Sequence, residues 1–375
     1  MKGVVEILSD LIRIPSNSAV SNCPVVEYAA AVLRSAGWLT RGLPYLDSAG
    51  VAKLNMIAAP PDQNPADRDV NLALICHTDT VPFADEWTNA LEPLLRDGNL
   101  HGCGACDVKG FLACLLAGIH RNASEAWPAG LRLVLTADEE IGCVGASRLV
   151  ADGALRPRRM VIGEPTSLHP ARAGKGYCLA EITVFGKEAH SAHPQQGVSA
   201  IYNAAHLIAS IEAHAAQHAV KKHSFFDPGY TTMNIGTIAG GTAKNIVPGL
   251  CRFQLEWRPI PGGSANGVLE SVGEIAERLH GLDPAFRAEI RSLRQQAGFE
   301  TSASAELVRS AEALTGREAI SIPFGSEASI FAPLADEVIV FGPGDMRTAH
   351  SCRECVPVVE LDEAVACLSA LMRAG

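Results

Sequence analysis

LALICHTDTVPF, residues 72 to 83, and LHGCGACDVKG, residues 100 to 110, decide how this chain is read. Leu72 to Cys76 are an apolar run of strand length and read as a short buried strand. His77 and Asp79 follow at its C-terminal end, two residues apart. In locally extended backbone that spacing puts both side chains on one face. Asp107 sits among Gly102, Gly104 and Gly110. That composition predicts a tight turn where backbone approaches a ligand closely. A His, an Asp two residues later and a glycine-framed Asp make the start of a divalent metal site.

Outward from this stretch the same arrangement recurs. LRLVLT, residues 131 to 136, is a second strand and is followed by Asp138, Glu139 and Glu140. Residues 160 to 162 are a third, followed by Gly163, Glu164, Pro165 and Thr166. Three apolar strands thus finish in acidic or histidine residues. In open α/β sheets, ligands collect at the C-terminal edge of the strands. Helical spacing predicts helices over 4 to 14, ended by Pro15, and over 24 to 36, with Asn22 as cap and Gly37 as stop. Residues 111 to 118, FLACLLAG, are apolar nearly all round and predict a buried helix. Alternating strands and helices imply a mostly parallel sheet covered on both faces.

The texture changes at Arg172-Ala173-Gly174-Lys175-Gly176. Strands over 177 to 184, 232 to 239, 249 to 258 and 286 to 293, with helices over 199 to 219 and 265 to 279, give the order β-α-β-β-α-β of a ferredoxin-like unit. Strand and helix alternation of the first kind then resumes, with a helix over 303 to 314, a strand over 337 to 341 and a last helix over 361 to 372. The expected organisation is a catalytic domain in two parts, 1–173 and 294–375, interrupted by an inserted α+β domain, 174–293.

The totals narrow the function classes. The 375 residues carry 31 Lys and Arg against 41 Asp and Glu, a formal charge of -10. That surface disfavours polyanions, so no nucleic-acid partner is expected. The 11 cysteines are odd in number and scattered, and several lie in apolar runs, which argues for free thiols in a reducing cytoplasm. MKGVVEILSDLIRIPS has neither a signal-peptide nor a transit-peptide pattern, and no window approaches 18 uninterrupted apolar residues. A cytoplasmic protein without a membrane partner is expected.

Six motifs together resemble one family. They are HTDTVP at 77 to 82, GCGACDVKG at 102 to 110, TADEEIG at 136 to 142, GEPT at 163 to 166, GKEAHSAHP at 186 to 194 and GPGDMRTAH at 342 to 350. The chain resembles the M20 metallopeptidases, the co-catalytic metal amidohydrolases, over essentially its whole length. The resemblance implies a zinc-exopeptidase-like catalytic domain with an inserted lid and dimerisation domain. It implies two divalent metal ions, zinc or cobalt, which suit a set containing imidazole. His77, Asp107 and Glu164 would hold one ion, and Asp107, Glu140 and His350 the other, with Asp107 bridging. Glu139 would be the general base and Asp79 would orient the His77 ring by accepting from its free nitrogen. His190 would stabilise the oxyanion, often across a homodimer, Arg258 would pair with the substrate carboxylate, and Asn245 would add a polar contact. Glu327, in GSEAS, would meet a distal substrate amine.

The implied activity is hydrolysis of an N-acyl amino acid in amino-acid biosynthesis, with N2-acetyl-L-ornithine of arginine biosynthesis as the favoured substrate. N-acetylcitrulline, N-succinyl-diaminopimelate and dipeptides are the alternatives. The chain departs from the family at Cys103 and Val108, where Arg and Met are usual, and neither position is a ligand. Cys103 and Cys106 offer a competing redox reading, and a scaffold that kept the fold is a third. The scaffold reading requires a missing base or ligand, and none is missing.

Overall fold

The computed structural model describes residues 2–220 and 222–375. The chain forms two compact units. One comprises the chain up to Ala173 together with Glu300–Ile320 and Ser326–Gly375; the other comprises Gly174–Phe299 and Ser321–Gly325. The return to the first unit therefore falls at Glu300, six residues later than the expected 294. The physical reason is the last strand of the insert, Arg287–Gln296. It passes an irregularity at Ser292/Arg294 and keeps pairing, Arg294 with Leu179, Gln295 with Cys178 and Gln296 with Tyr177. The short Ser321–Gly325 segment had no expected place in the insert.

The first unit is built on a mixed, mostly parallel sheet. Leu131–Thr136, Asp69–His77, Arg156–Gly163 and Glu337–Phe341 lie side by side in that order, all parallel. Antiparallel strands extend both sides, Leu39–Leu46 and Ala52–Ala59 on one and Ala171–Gly174 on the other. Leu39–Leu46, LTRGLPYL, escapes the apolar pattern because it is an outer strand with exposed positions, where Pro44 is tolerated.

Both faces of the parallel strands are buried, as a continuous apolar run requires. Leu72, Leu74 and Cys76 join one core with the helices Val4–Arg13, Cys23–Ser35, Lys109–Arg121, Glu306–Thr315 and Val358–Ala374. Ala73 and Ile75, pointing the other way, are equally buried. Lys109–Arg121 is buried from Lys109 to Ile119 and so reaches past the predicted 111 to 118. Full burial of Phe111 in it contributes about 2–3 kcal/mol.

The second unit has the β-α-β-β-α-β order. Its sheet runs Thr232–Gly240, Leu250–Arg258, Tyr177–Phe185, Arg287–Gln296, every neighbour antiparallel. Helices Ala200–His218 and Gly267–Leu282 pack on it. Period-two alternation places Cys178, Ala180, Ile182 and Val184 in the same core as Cys251, Phe253, Leu255 and Trp257. Ser199 caps the first helix, its Oγ accepting from the Tyr202 amide at 3.3 Å. No helix of the described residues is long and apolar enough to cross a membrane.

Candidate metal centre

The four parallel strands end at one edge, and each hands the chain to a candidate ligand or base. His77 is the last residue of its strand. Asp138, Glu139 and Glu140 follow Leu131–Thr136, Glu164 follows Arg156–Gly163, and His350 lies in the loop after Glu337–Phe341. Asp107 arrives from the turn preceding Lys109–Arg121.

Asp107 stands between the two imidazoles. Its Oδ1 lies 3.2 Å from His77 Nε2 and its Oδ2 lies 3.0 Å from His350 Nε2. Glu140 Oε1 is 3.2 Å from the same His350 nitrogen. Two trios of donor atoms result, His77–Asp107–Glu164 and Asp107–Glu140–His350, each with its atoms within 4.8 Å of one another. His77, Asp107 and Glu164 are buried, while His350 is exposed.

The charge in this cluster is unbalanced. Burial pushes the Glu139 carboxyl up to about 7, with Glu140, Asp79 and Asp107 adding to it against the opposing His77. Glu164 is driven well above the ordinary carboxylate range by burial and by Asp107. Burial also raises Glu140, against its contact with His350. The imidazoles respond oppositely. His77 is held well above its usual value by Asp107, Glu164 and Glu139, in spite of burial, and His350 is raised to about 10 by Asp107 and Glu140. Buried carboxylates packed this closely need a cation. Two imidazoles and three carboxylates, one of them shared, suit a pair of borderline divalent ions, so the residues fit the group.

The Asp79 carboxylate, expected to orient His77, is not the group nearest its ring. His77 Nδ1 faces the Asp79 backbone carbonyl at 3.0 Å, and the nearer carboxylate oxygen is 3.8 Å away. The carboxylate instead accepts from the amides of Glu139 at 3.0 Å and Glu140 at 3.3 Å and from Ser18 Oγ at 2.7 Å. The reason is local: the loop after His77 presents the Asp79 carbonyl to the ring and the Asp79 carboxylate to the neighbouring loop.

Asn22 is also employed differently. It makes no side-chain cap. Its amide bonds Leu54 O at 2.9 Å and Thr78 Oγ1 at 2.7 Å, and its oxygen accepts from Leu54 N at 2.9 Å. It thereby ties the residue after His77 to strand Ala52–Ala59, two places away in the sheet. The glycines around Asp107 make room for the chain itself rather than for a ligand. Gly104 has φ +79, and a Cβ there would lie 2.9 Å from Thr80 and from Lys109; one on Gly110 would lie 2.5 Å from Ala105 O.

Sequence reasoning missed Glu354. It is buried, and its Oε1 accepts from the amides of both Cys106 and Asp107 at 3.1 Å. Burial and Asp107 push its carboxyl up to about 7. Nothing in SCRECV marks this role, because the contact spans 247 residues of chain. Cys103 and Cys106 are buried, and burial pushes Cys103 up to about 11 and holds Cys106 well above the ordinary thiol value. Reactive cysteines are depressed, not raised, so the redox reading loses its physical basis.

Glu327 is almost wholly buried, and neither carboxylate oxygen has a hydrogen-bond partner within normal distance. Burial raises it to about 8, with Glu139 and Asp79 adding to the effect and His77 and the Thr136 side chain opposing it. The remaining candidates, His190, Asn245 and Arg258, belong to the second unit. There, His190 and Ile246 form an antiparallel bridge, and Asn245 O accepts from Ser191 N at 3.0 Å, so His190 and Asn245 occupy adjoining loops. Both are exposed. The Arg258 guanidinium lies 4.0 Å from the centroid of the Tyr177 ring, and its Nε donates to Glu256 at 2.8 Å.

The family model described as peptidase family M20/M25/M40 matches residues 73–374. The acetylornithine deacetylase of Myxococcus xanthus is 44% identical over 369 residues, 98% of this chain and 95% of that protein. The acetylornithine deacetylase of Pasteurella multocida (strain Pm70) is 31% identical over 386 residues, 98% of this chain and 97% of that protein. Among solved structures, aminopeptidase PepT from Bacillus cereus superposes with a TM-score of 0.75 at 20% identity, covering 99% of this chain and 97% of its own. The YXEP protein of Bacillus subtilis, described as a dinuclear metal binding peptidase, gives a TM-score of 0.71 at 14% identity, covering 99% and 97%. At those identities the two structures speak for the fold alone.

Proposed function

This chain belongs to peptidase family M20/M25/M40, and from that premise we propose that it removes the acetyl group of N2-acetyl-L-ornithine, giving L-ornithine and acetate. It is a metal-dependent amidohydrolase. The observation that carries the site assignment is Asp107 giving one oxygen to each of two histidine-containing trios. The identity of 44% to an acetylornithine deacetylase over nearly the full length supports the substrate.

In this reading His77, Asp107 and Glu164 would hold one divalent ion and Asp107, Glu140 and His350 the other, zinc or cobalt. Such ions lower the pKa of water and polarise an acyl carbonyl. The chain's residues do the rest. Glu139 accepts the proton of the attacking water on its carboxylate and delivers it to the leaving amine nitrogen; burial has already raised its affinity for that proton. Asp79 grips the Glu139 and Glu140 amides, so the base and its neighbouring ligand cannot shift independently. Glu327, almost wholly buried with neither oxygen in a hydrogen bond of normal distance, receives the distal ammonium of ornithine. His190 stabilises the oxyanion, Arg258 pairs with the substrate carboxylate, and Asn245 adds a polar contact. The protein works as a cytoplasmic homodimer through the inserted unit, in arginine biosynthesis.

A substrate panel tests this. Purified protein loaded with zinc or cobalt is offered N2-acetyl-L-ornithine, N-acetylcitrulline, N-succinyl-diaminopimelate and a dipeptide. The expected result is the highest kcat/KM on acetylornithine. Turnover confined to the dipeptide would replace the deacetylase reading with a peptidase.

A further inference from the structure

The base assigned above is held at its backbone by Asp79, yet that grip leaves the carboxylate free to rotate about its own side-chain bonds. A second contact addresses the carboxylate itself. Cys143 Sγ lies 3.2 Å from Glu139 Oε1, close enough for the thiol to donate. Cys143 is fully buried, and Glu139 is buried around it, so water competes little for this contact.

The backbone at Cys143 is also specialised. It occupies the left-handed region, φ 56 and ψ 41, at the N-cap of helix Val144–Ala151. Glycine adopts that conformation without penalty, and Asn or Asp tolerate it; a cysteine there is unusual. N-caps favour side chains that accept from the first turn, but Cys143 makes no such cap bond. Its side chain is turned to the general base instead. The turn is closed by the Gly142 and Cys143 amides, which both donate to Glu139 O at 2.9 Å, and by the Val144 amide donating to Asp138 O at 3.0 Å. This short circuit brings residue 143 back over residue 139 and aims the thiol at the carboxylate.

We propose that Cys143 is a positioning residue for the reaction: its thiol holds the Glu139 carboxylate in the orientation that takes the proton from the attacking water. The proposal rests on the reading of Glu139 as the base. A thiol is a weak donor, so it directs the carboxylate while leaving most of its basicity for the water. Asp79 fixes where the base stands, and Cys143 fixes where it points.

Cys143→Gly and Cys143→Ser test this in the metal-loaded enzyme. Glycine suits the left-handed backbone, so the fold persists while the donor is lost. Serine keeps a donor at the same branch point, a stronger one on a slightly shorter bond. For Cys143→Gly the expected result is a kcat lower by about tenfold to a hundredfold, with KM and the metal content per chain unchanged. Cys143→Ser is expected to recover most of the kcat. A Gly variant within twofold of the parent overturns the proposal, and so does a Ser variant as impaired as the Gly variant. Metal loss or unfolding that accompanies the fall in kcat makes Cys143 structural and overturns it too. Glu139→Gln, measured alongside, separates the two ideas. If it retained full turnover the base reading itself would fail, whatever the Cys143 variants do.

Discussion

The backbone amide of Glu139 donates to the carboxylate of Asp79 across 3.0 Å, joining the loop after one parallel strand to the loop after its neighbour. The same carboxylate takes the Glu140 amide and the Ser18 hydroxyl. His77 is left to the Asp79 carbonyl. The Asp79 carboxylate therefore engages the Glu139 backbone more closely than the His77 ring.

Asp79→Ala is expected to lower kcat about a hundredfold through misplacement of Glu139. It also strands the buried Glu139 amide and the part-buried Glu140 amide, which costs about 2 kcal/mol of stability. Because the His77 ring keeps its carbonyl partner, metal content should survive. Kinetics, thermal melting and metal analysis on one preparation check all three. Loss of the metal with Asp79 would restore the carboxylate-to-His77 role.

Glu139→Gln keeps the shape of the side chain and removes the proton acceptor. Turnover should drop by about 10²–10⁴ while both ions remain bound. Stopped-flow or endpoint assay of released acetate, with metal analysis, measures it. A near-normal rate would move the base elsewhere.

Glu354→Ala removes the acceptor shared by the Cys106 and Asp107 amides. The loop carrying the shared ligand then loosens, and metal affinity is expected to fall about 10–100-fold. Competition with a chromogenic chelator reads this directly. Unchanged affinity would reduce Glu354 to a packing residue.

Metal uptake should release protons. In the metal-free protein Asp107 and Glu140 hold His350 at about 10, so its ring carries a proton at neutral pH. The stabilisation this gives is complete below the ordinary imidazole value of 6.5 and is lost as pH rises through about 10. A metal needs the neutral ring, so apparent affinity should climb with pH across that window. Calorimetry in two buffers of different ionisation enthalpy counts the protons released near pH 7. Proton uptake on binding would contradict the assignment of His350 as a ligand.

The chain sequence by itself determined the alternation of apolar runs and acidic ends, and through it the parallel sheet and the edge where ligands gather. Leu72 to Cys76 could be read because every residue in that run is buried, which leaves a pattern in the letters. It also marked the insert, since period-two alternation from Tyr177 onward differs from the continuous runs before it. Selecting five ligands among 12 histidines and 41 acids needed family likeness, because spacing along the chain does not encode distance across loops. Only the tertiary structure decided that Asp79 grips Glu139, that Asn22 ties down Thr78, that Glu354 supports Asp107 and that Cys143 reaches the Glu139 carboxylate. The first three contacts join segments tens to hundreds of residues apart, and the last depends on a left-handed turn. Periodicity records which face a residue takes within its own element. Which atoms meet between elements is set by how the elements pack.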